Sequence, residues 1–161
     1  FVNNRGFLLN NEMDDFSAKP GSPNVYGLLG SEANSIEPGK RMLSSMTPSI
    51  VEKNKKLFLV LGTPGGSTII TSVFQTILNI ILYEMDIQSA VDTPRFHHQW
   101  KPEFIYLEKE LYSDSLKDLL FEMGHNTKQR NSIGHVNAIM YSDSISIGAD
   151  KRGDNTGEIT Q

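Results

Sequence analysis

The sequence contains no cysteine, which excludes disulfides, thiolate nucleophiles and cysteine-ligated metal sites. The compartment stays open on that count, since a protein that needs no disulfide suits cytoplasm, periplasm or medium. Long apolar runs are also missing: none of the 161 residues forms a stretch able to span a bilayer, and no signal-peptide pattern is visible. Basic patches are absent. The 15 Lys and Arg residues are scattered among 19 Asp and Glu, net charge −4, and nothing interleaves them with aromatics as a nucleic-acid surface would. There is no internal repeat and no composition shift to mark a boundary. What is present is a chain 38% hydrophobic, enough to build the core of a single domain over residues 1–161.

That core is organised around Leu61-Gly62-Thr63-Pro64-Gly65-Gly66-Ser67-Thr68. The apolar run Leu57 to Leu61 enters it and reads as a buried strand; the run Ile69 to Tyr83 leaves it and reads as a helix buried between layers. Pro64 donates no backbone hydrogen bond, and Gly65 and Gly66 leave their amide N–H groups uncovered by side chains. A strand, a glycine turn and a helix N-terminus can hold a bound anion or an oxyanion. The other reading is a tight turn whose glycines satisfy sterics alone.

Phe1 to Leu9 opens in strand-like material without an initiator methionine, as a processed or partial chain would. Glu12, Asp14 and Asp15 then crowd three carboxylates into four positions, either a solvated acidic turn or a pocket for an ammonium group. Residues 17–39 are rich in Pro, Gly, Ser and Asn, with Tyr26 and Leu28 in their midst. They read as a lid with Tyr26 as its gate, or as a surface loop pinned by those two side chains. Ser44 and Ser45 are paired hydroxyls able to donate to a carboxylate, or ordinary loop residues. A hairpin around Asn54 precedes the central turn. Asp86 caps a short helix over 87–91, and Ser113 or Asp114 starts another that Gly124 closes. Strands follow at 104–108, 136–141 and 145–149, and the polar tail from Asp150 is expected to fray. His97 and His98 raise a metal question. In an extended segment they point to opposite faces, and no further ligand stands at motif spacing, although His125 and His135 come later. The pair therefore reads as packed, with no metal and no cofactor.

In order, the stretches Asn10 to Phe16, Pro23 to Leu28, Leu43 to Pro48, Gly62 to Ser67 and Asp92 to Gln99 resemble the small subunit of gamma-glutamyltranspeptidases, over nearly the whole chain up to about Gly148. The resemblance implies an α+β chain, part of the four-layer αββα sandwich of N-terminal-nucleophile hydrolases. It implies a self-cleaving precursor, a large-subunit partner, and an N-terminal threonine that attacks the γ-glutamyl amide of glutathione and passes the acyl group to water, amino acids or peptides. Asp15 and Glu12 match residues that hold the substrate's α-ammonium. Ser44 and Ser45 match the α-carboxylate pair, Gly65 and Gly66 the oxyanion hole, and Tyr26 the lid tyrosine. The threonine-bearing segment would lie upstream of Phe1, so this chain alone is expected to be inactive. Family habit places bacterial members in the periplasm or medium. Two departures are visible after Ala149, where the family's proline before the arginine and its glycine-tyrosine ending do not occur. A related acylase, a poly-γ-glutamate-processing enzyme and a non-catalytic binding subunit are the alternatives.

Overall fold

A computed structural model describes residues 5–160. The chain divides into two compact units, Phe1–Ser45 and Met46–Gln161, a division that no composition shift marks.

The first unit is built from turns. Single 3-10 turns span Glu12–Asp15 and Glu32–Asn34, and isolated bridges join Ser17 to Ser35 and Pro23 to Leu29. Residues 7–9, expected as a strand, pair with nothing among the described residues and stand more than half exposed. Their apolar pattern survives but no ladder satisfies it. The start of that expected strand, Phe1 to Asn4, lies outside the described residues.

The second unit runs β1 (Ser49–Lys53), β2 (Lys56–Gly62), α1 (Ile69–Ile81), α2 (Ile87–Asp92), β3 (Phe96–His97), β4 (Ile105–Glu108), α3 (Asp114–Glu122), β5 (Thr127–Arg130), β6 (Asn137–Tyr141) and β7 (Ile145–Ala149). One antiparallel sheet has the order β1-β2-β6-β7, and the other β3-β4-β5, with β4 and β5 parallel. The β1–β2 hairpin closes through Asn54 and Lys55, both at positive φ, as a two-residue turn requires. Leu59 and Leu61 of β2 alternate inward with Ala138 of β6, and Val136 joins them. Ile69, Val73 and Ile80 of α1 and Ile87, Ala90 and Val91 of α2 complete this core. Each buried Leu, Ile or Val side chain contributes roughly 1.5–3 kcal/mol on burial, which offsets the weak helix propensity of β-branched α1. Asp86 caps α2 by accepting from the Ser89 amide at 3.0 Å, and Ser113 caps α3.

Two expectations are corrected. Within this chain α1 buries one stripe only: Ile70, Phe74 and Ile81 stand open, because the layer beneath covers a single face. The tail does not fray at its start, since Asp150 is fully buried and Arg152 nearly so, held by ion pairs described below. No helix among the described residues is long and apolar enough to cross a membrane.

Candidate active site

In the first unit, the structure brings Asp15 and Ser45 together across thirty positions: the Ser45 hydroxyl donates to Asp15 Oδ2 at 2.9 Å. Asp15 ends the Glu12–Asp15 turn, which starts with the Asp14 amide donating to Asn11 O. Glu12 lies at the other end of that turn, exposed, and Ser44 is exposed beside Ser45. The residue that sequence reasoning overlooked is Asn34. Its Nδ2 donates to Asp15 O at 2.7 Å, its Oδ1 accepts from the Leu43 amide at 3.0 Å, and its own carbonyl accepts from the Ser17 amide at 2.8 Å. One amide side chain thus ties the acidic turn to the segment that carries Ser44 and Ser45. An asparagine in a loop gives no sequence signal of this, because its partners are backbone groups 9 and 19 positions away. Tyr26 tips a tight turn in which Asn24 Oδ1 accepts from the Tyr26 and Leu28 amides, both at 3.0 Å. This is the Asx geometry that asparagine favours.

In the second unit, the strand–turn–helix reading of the central stretch holds. β2 ends at Gly62, a 3-10 turn covers Gly66–Thr68, and α1 starts at Ile69. Gly65 has φ +147°, a conformation closed to side-chain-bearing residues, and Gly66 also has positive φ. Among the described residues neither glycine's amide donates to an acceptor, so both N–H groups are available to an anion. The two carbonyls that share peptides with these amides are engaged. The Pro64 carbonyl accepts from the Thr63 hydroxyl at 2.6 Å, and the Gly65 carbonyl from the Thr68 amide and hydroxyl at 3.1 and 2.8 Å.

Behind this turn sits a buried ionic quartet that no motif announces. Arg95 Nη1 meets Asp150 Oδ2 at 2.9 Å, Arg152 Nη1 meets Asp150 Oδ1 at 3.0 Å, and Arg152 Nη2 meets Glu108 Oε2 at 2.5 Å. Backbone groups add further hydrogen bonds, although the buried Arg95 Nε finds no acceptor among the described residues. Glu108 accepts from the Arg95 and Ile133 amides, Asp150 from the Val136 and Arg152 amides, and Arg95 donates to the Val91 and Ile133 carbonyls. Burial pushes the Asp150 carboxyl up, but the Arg152 and Val136 amides with the Arg95 guanidinium hold it below the usual carboxylate range. Burial and the charge of Arg152 press Arg95 downward. With its ion pairs made, the cluster is a structural clamp.

His97 points inward and His98 outward, as the extended segment requires. Gln99 is oriented by donating to Lys101 O, so its Oε1 faces His97 Nε2 at 2.8 Å. His97 Nδ1 and the Thr71 hydroxyl lie 2.8 Å apart. Burial holds the His97 imidazole below its ordinary range, and therefore neutral. His98 and His125 stack edge to face at the rim of a cavity of about 430 Å³, and no group of three metal-binding side chains occurs among the described residues.

Residues 1–160 match the family described as Gamma-glutamyltranspeptidase. The Glutathione hydrolase proenzyme of Escherichia coli (strain K12) is 52% identical over 135 residues, 84% of this chain and 23% of its own length. The chain thus spans about a quarter of the curated relatives it matches. A crystal structure of a mutant Helicobacter pylori gamma-glutamyltranspeptidase superposes with a TM-score of 0.89 at 50% identity, covering 95% of this chain and 85% of that one. Gamma-glutamyltranspeptidase from Pseudomonas nitroreducens complexed with L-DON superposes at 0.91 with 43% identity, covering 99% and 85%. The α+β class follows, with two sheets flanked by helices, consistent with the αββα sandwich.

Proposed function

Because the chain belongs to the gamma-glutamyltranspeptidase family, we propose that it is most of the small subunit of a bacterial, periplasmic or secreted γ-glutamyl transferase and hydrolase. The observation that carries this reading is the 2.9 Å hydrogen bond between Ser45 and Asp15. It joins the two residue types needed to grip the charged head of an amino acid. Substrate exchanges that bond for two charge-assisted ones: the Ser45 hydroxyl, with Ser44, turns to the α-carboxylate, and Asp15, with Glu12, takes the α-ammonium. Residues 17–39 serve as a lid, with Tyr26 at its tip.

The nucleophile is a threonine upstream of Phe1. Its hydroxyl adds to the γ-carbonyl carbon and its own α-amine takes the proton. The N–H groups of Gly65 and Gly66 stabilise the oxyanion. The C–N bond breaks, the held proton passes to the departing amine, and water or an amine then takes the acyl group. Thr47, Thr63 and Thr68 are internal and offer no α-amine, so the chain alone is inactive. A large subunit completes the enzyme. The open apolar stripe of Ile70, Phe74 and Ile81 supports such a partner.

The test uses the complete protein that carries this chain. Asp15→Asn keeps the shape and removes the charge, and should lower kcat/KM for glutathione about tenfold to a hundredfold. A substrate without the α-amine should lose little. Equal losses for both substrates would remove Asp15 from the ammonium site, and a wild-type protein that turns over no γ-glutamyl amide would end the reading.

A further inference from the structure

A trans peptide is rigid, with its C=O and N–H pointing in opposite directions. Whatever grips the carbonyl of a peptide therefore aims its amide. Both candidate oxyanion donors have such a grip. The Gly65 N–H shares its peptide with the Pro64 carbonyl, which accepts from the Thr63 hydroxyl at 2.6 Å. The Gly66 N–H shares its peptide with the Gly65 carbonyl, which accepts from the Thr68 hydroxyl at 2.8 Å. We propose that Thr63 and Thr68 are positioning residues of the reaction, each aiming one oxyanion donor through the far end of its peptide. This rests on the reading of Gly65 and Gly66 as the oxyanion hole.

The two hydroxyls are themselves held. Thr68 is buried at the start of α1. Thr63 Oγ1 accepts from the His135 amide at 2.8 Å, which leaves its single proton for Pro64. His135 belongs to a strut, residues 133–136, whose ends are fixed by the ionic quartet: Ile133 N to Glu108 and Ile133 O to Arg95 on one side, Val136 N to Asp150 on the other. Gly134 at its centre, φ +64°, lets the strut pass directly behind the turn. A Cβ on Gly134 would lie 2.6 Å from Ser72 Oγ and 2.9 Å from Thr63 Oγ1, and a Cβ on Gly65 would lie 2.6 Å from Thr68 Oγ1 and 3.4 Å from Gly134 Cα. Neither backbone has room for a side chain. The chain of contacts thus runs from buried ion pairs to the strut, to Thr63, to one peptide plane.

Valine matches threonine in shape and lacks the hydroxyl, and serine restores it. In the complete, self-cleaved protein assayed with a chromogenic γ-glutamyl anilide, Thr63→Val and Thr68→Val should each lower kcat about tenfold or more. KM should stay within about twofold, because the aim of the oxyanion donors matters in the transition state and not in the ground state. Thr63→Ser and Thr68→Ser should recover most of the loss. Gly134→Ala, which drives a methyl into Thr63 Oγ1, should repeat the Thr63→Val signature. If the valine variants keep kcat within about twofold, if they change KM alone, or if serine fails to rescue, the proposal is overturned while the γ-glutamyl activity of the wild type still stands. A wild type without that activity overturns both.

Discussion

In residues 5–45 the polar groups of the proposed head-group site are tied by turns and single hydrogen bonds, and Ser17 is the one buried residue described there. In residues 46–161 the glycine turn rests on an aliphatic core and a buried quartet of charges. The difference fits the role proposed for each part. A region that binds and releases a charged amino-acid head keeps its carboxylate and hydroxyls near water, where single hydrogen bonds exchange at small cost. A turn that meets a transient oxyanion works only if its donors are already aimed, so it is fixed by neighbours that cannot relax.

The largest expected effect tests the rigid side. Asp150→Ala strands the Arg95 guanidinium without its carboxylate partner in a buried site and removes one of the two carboxylates paired with Arg152. It should destabilise the protein by about 3–5 kcal/mol, read as a lowered midpoint in urea unfolding. A shift no larger than that of an exposed substitution would erase the contrast. The softer side is tested by Asn34→Ala, which removes the tie between Asp15 and Leu43. Stability should fall by only about 1 kcal/mol, since water reaches the freed groups. KM for the γ-glutamyl donor should rise severalfold with kcat nearly constant. An unfolding shift as large as that of Asp150→Ala would mean both regions are built alike.

The smallest effect is the pH dependence of His97, whose folded pKa lies below its ordinary 6.5 because burial disfavours the imidazolium. Between those two values the unfolded chain binds more protons than the folded one, so stability rises with pH. It is complete above the unfolded pKa and declines as pH falls toward the folded one. His97→Gln should flatten that slope below the ordinary imidazole range, measured by urea unfolding at several pH values. An unchanged slope would assign it to another group.

Local chemistry carried much of this into the sequence. Asp86 and Ser113 are caps that act within three residues, Asn54-Lys55 is a turn signal, and Gly65-Gly66 between an apolar strand and an apolar helix is readable from order alone. Two strands escaped. β3 is two residues long, and β5, Thr127–Arg130, is polar and has no apolar alternation to announce it. Its place comes from pairing beside β4.

By itself, then, the sequence determined where helices start, where turns fall and which family pattern the chain follows. Tertiary structure alone decided that Asp15 meets Ser45 while Asn34 ties Asp15 to Leu43, that the tail's Asp150 and Arg152 close a buried quartet with Arg95 and Glu108, and that Gly134 passes behind Gly65. The reason is range. Caps and turns are settled by neighbours a few positions away, whereas these contacts join groups far apart along the chain whose individual preferences are weak. Only the packed core brings them close enough to bond.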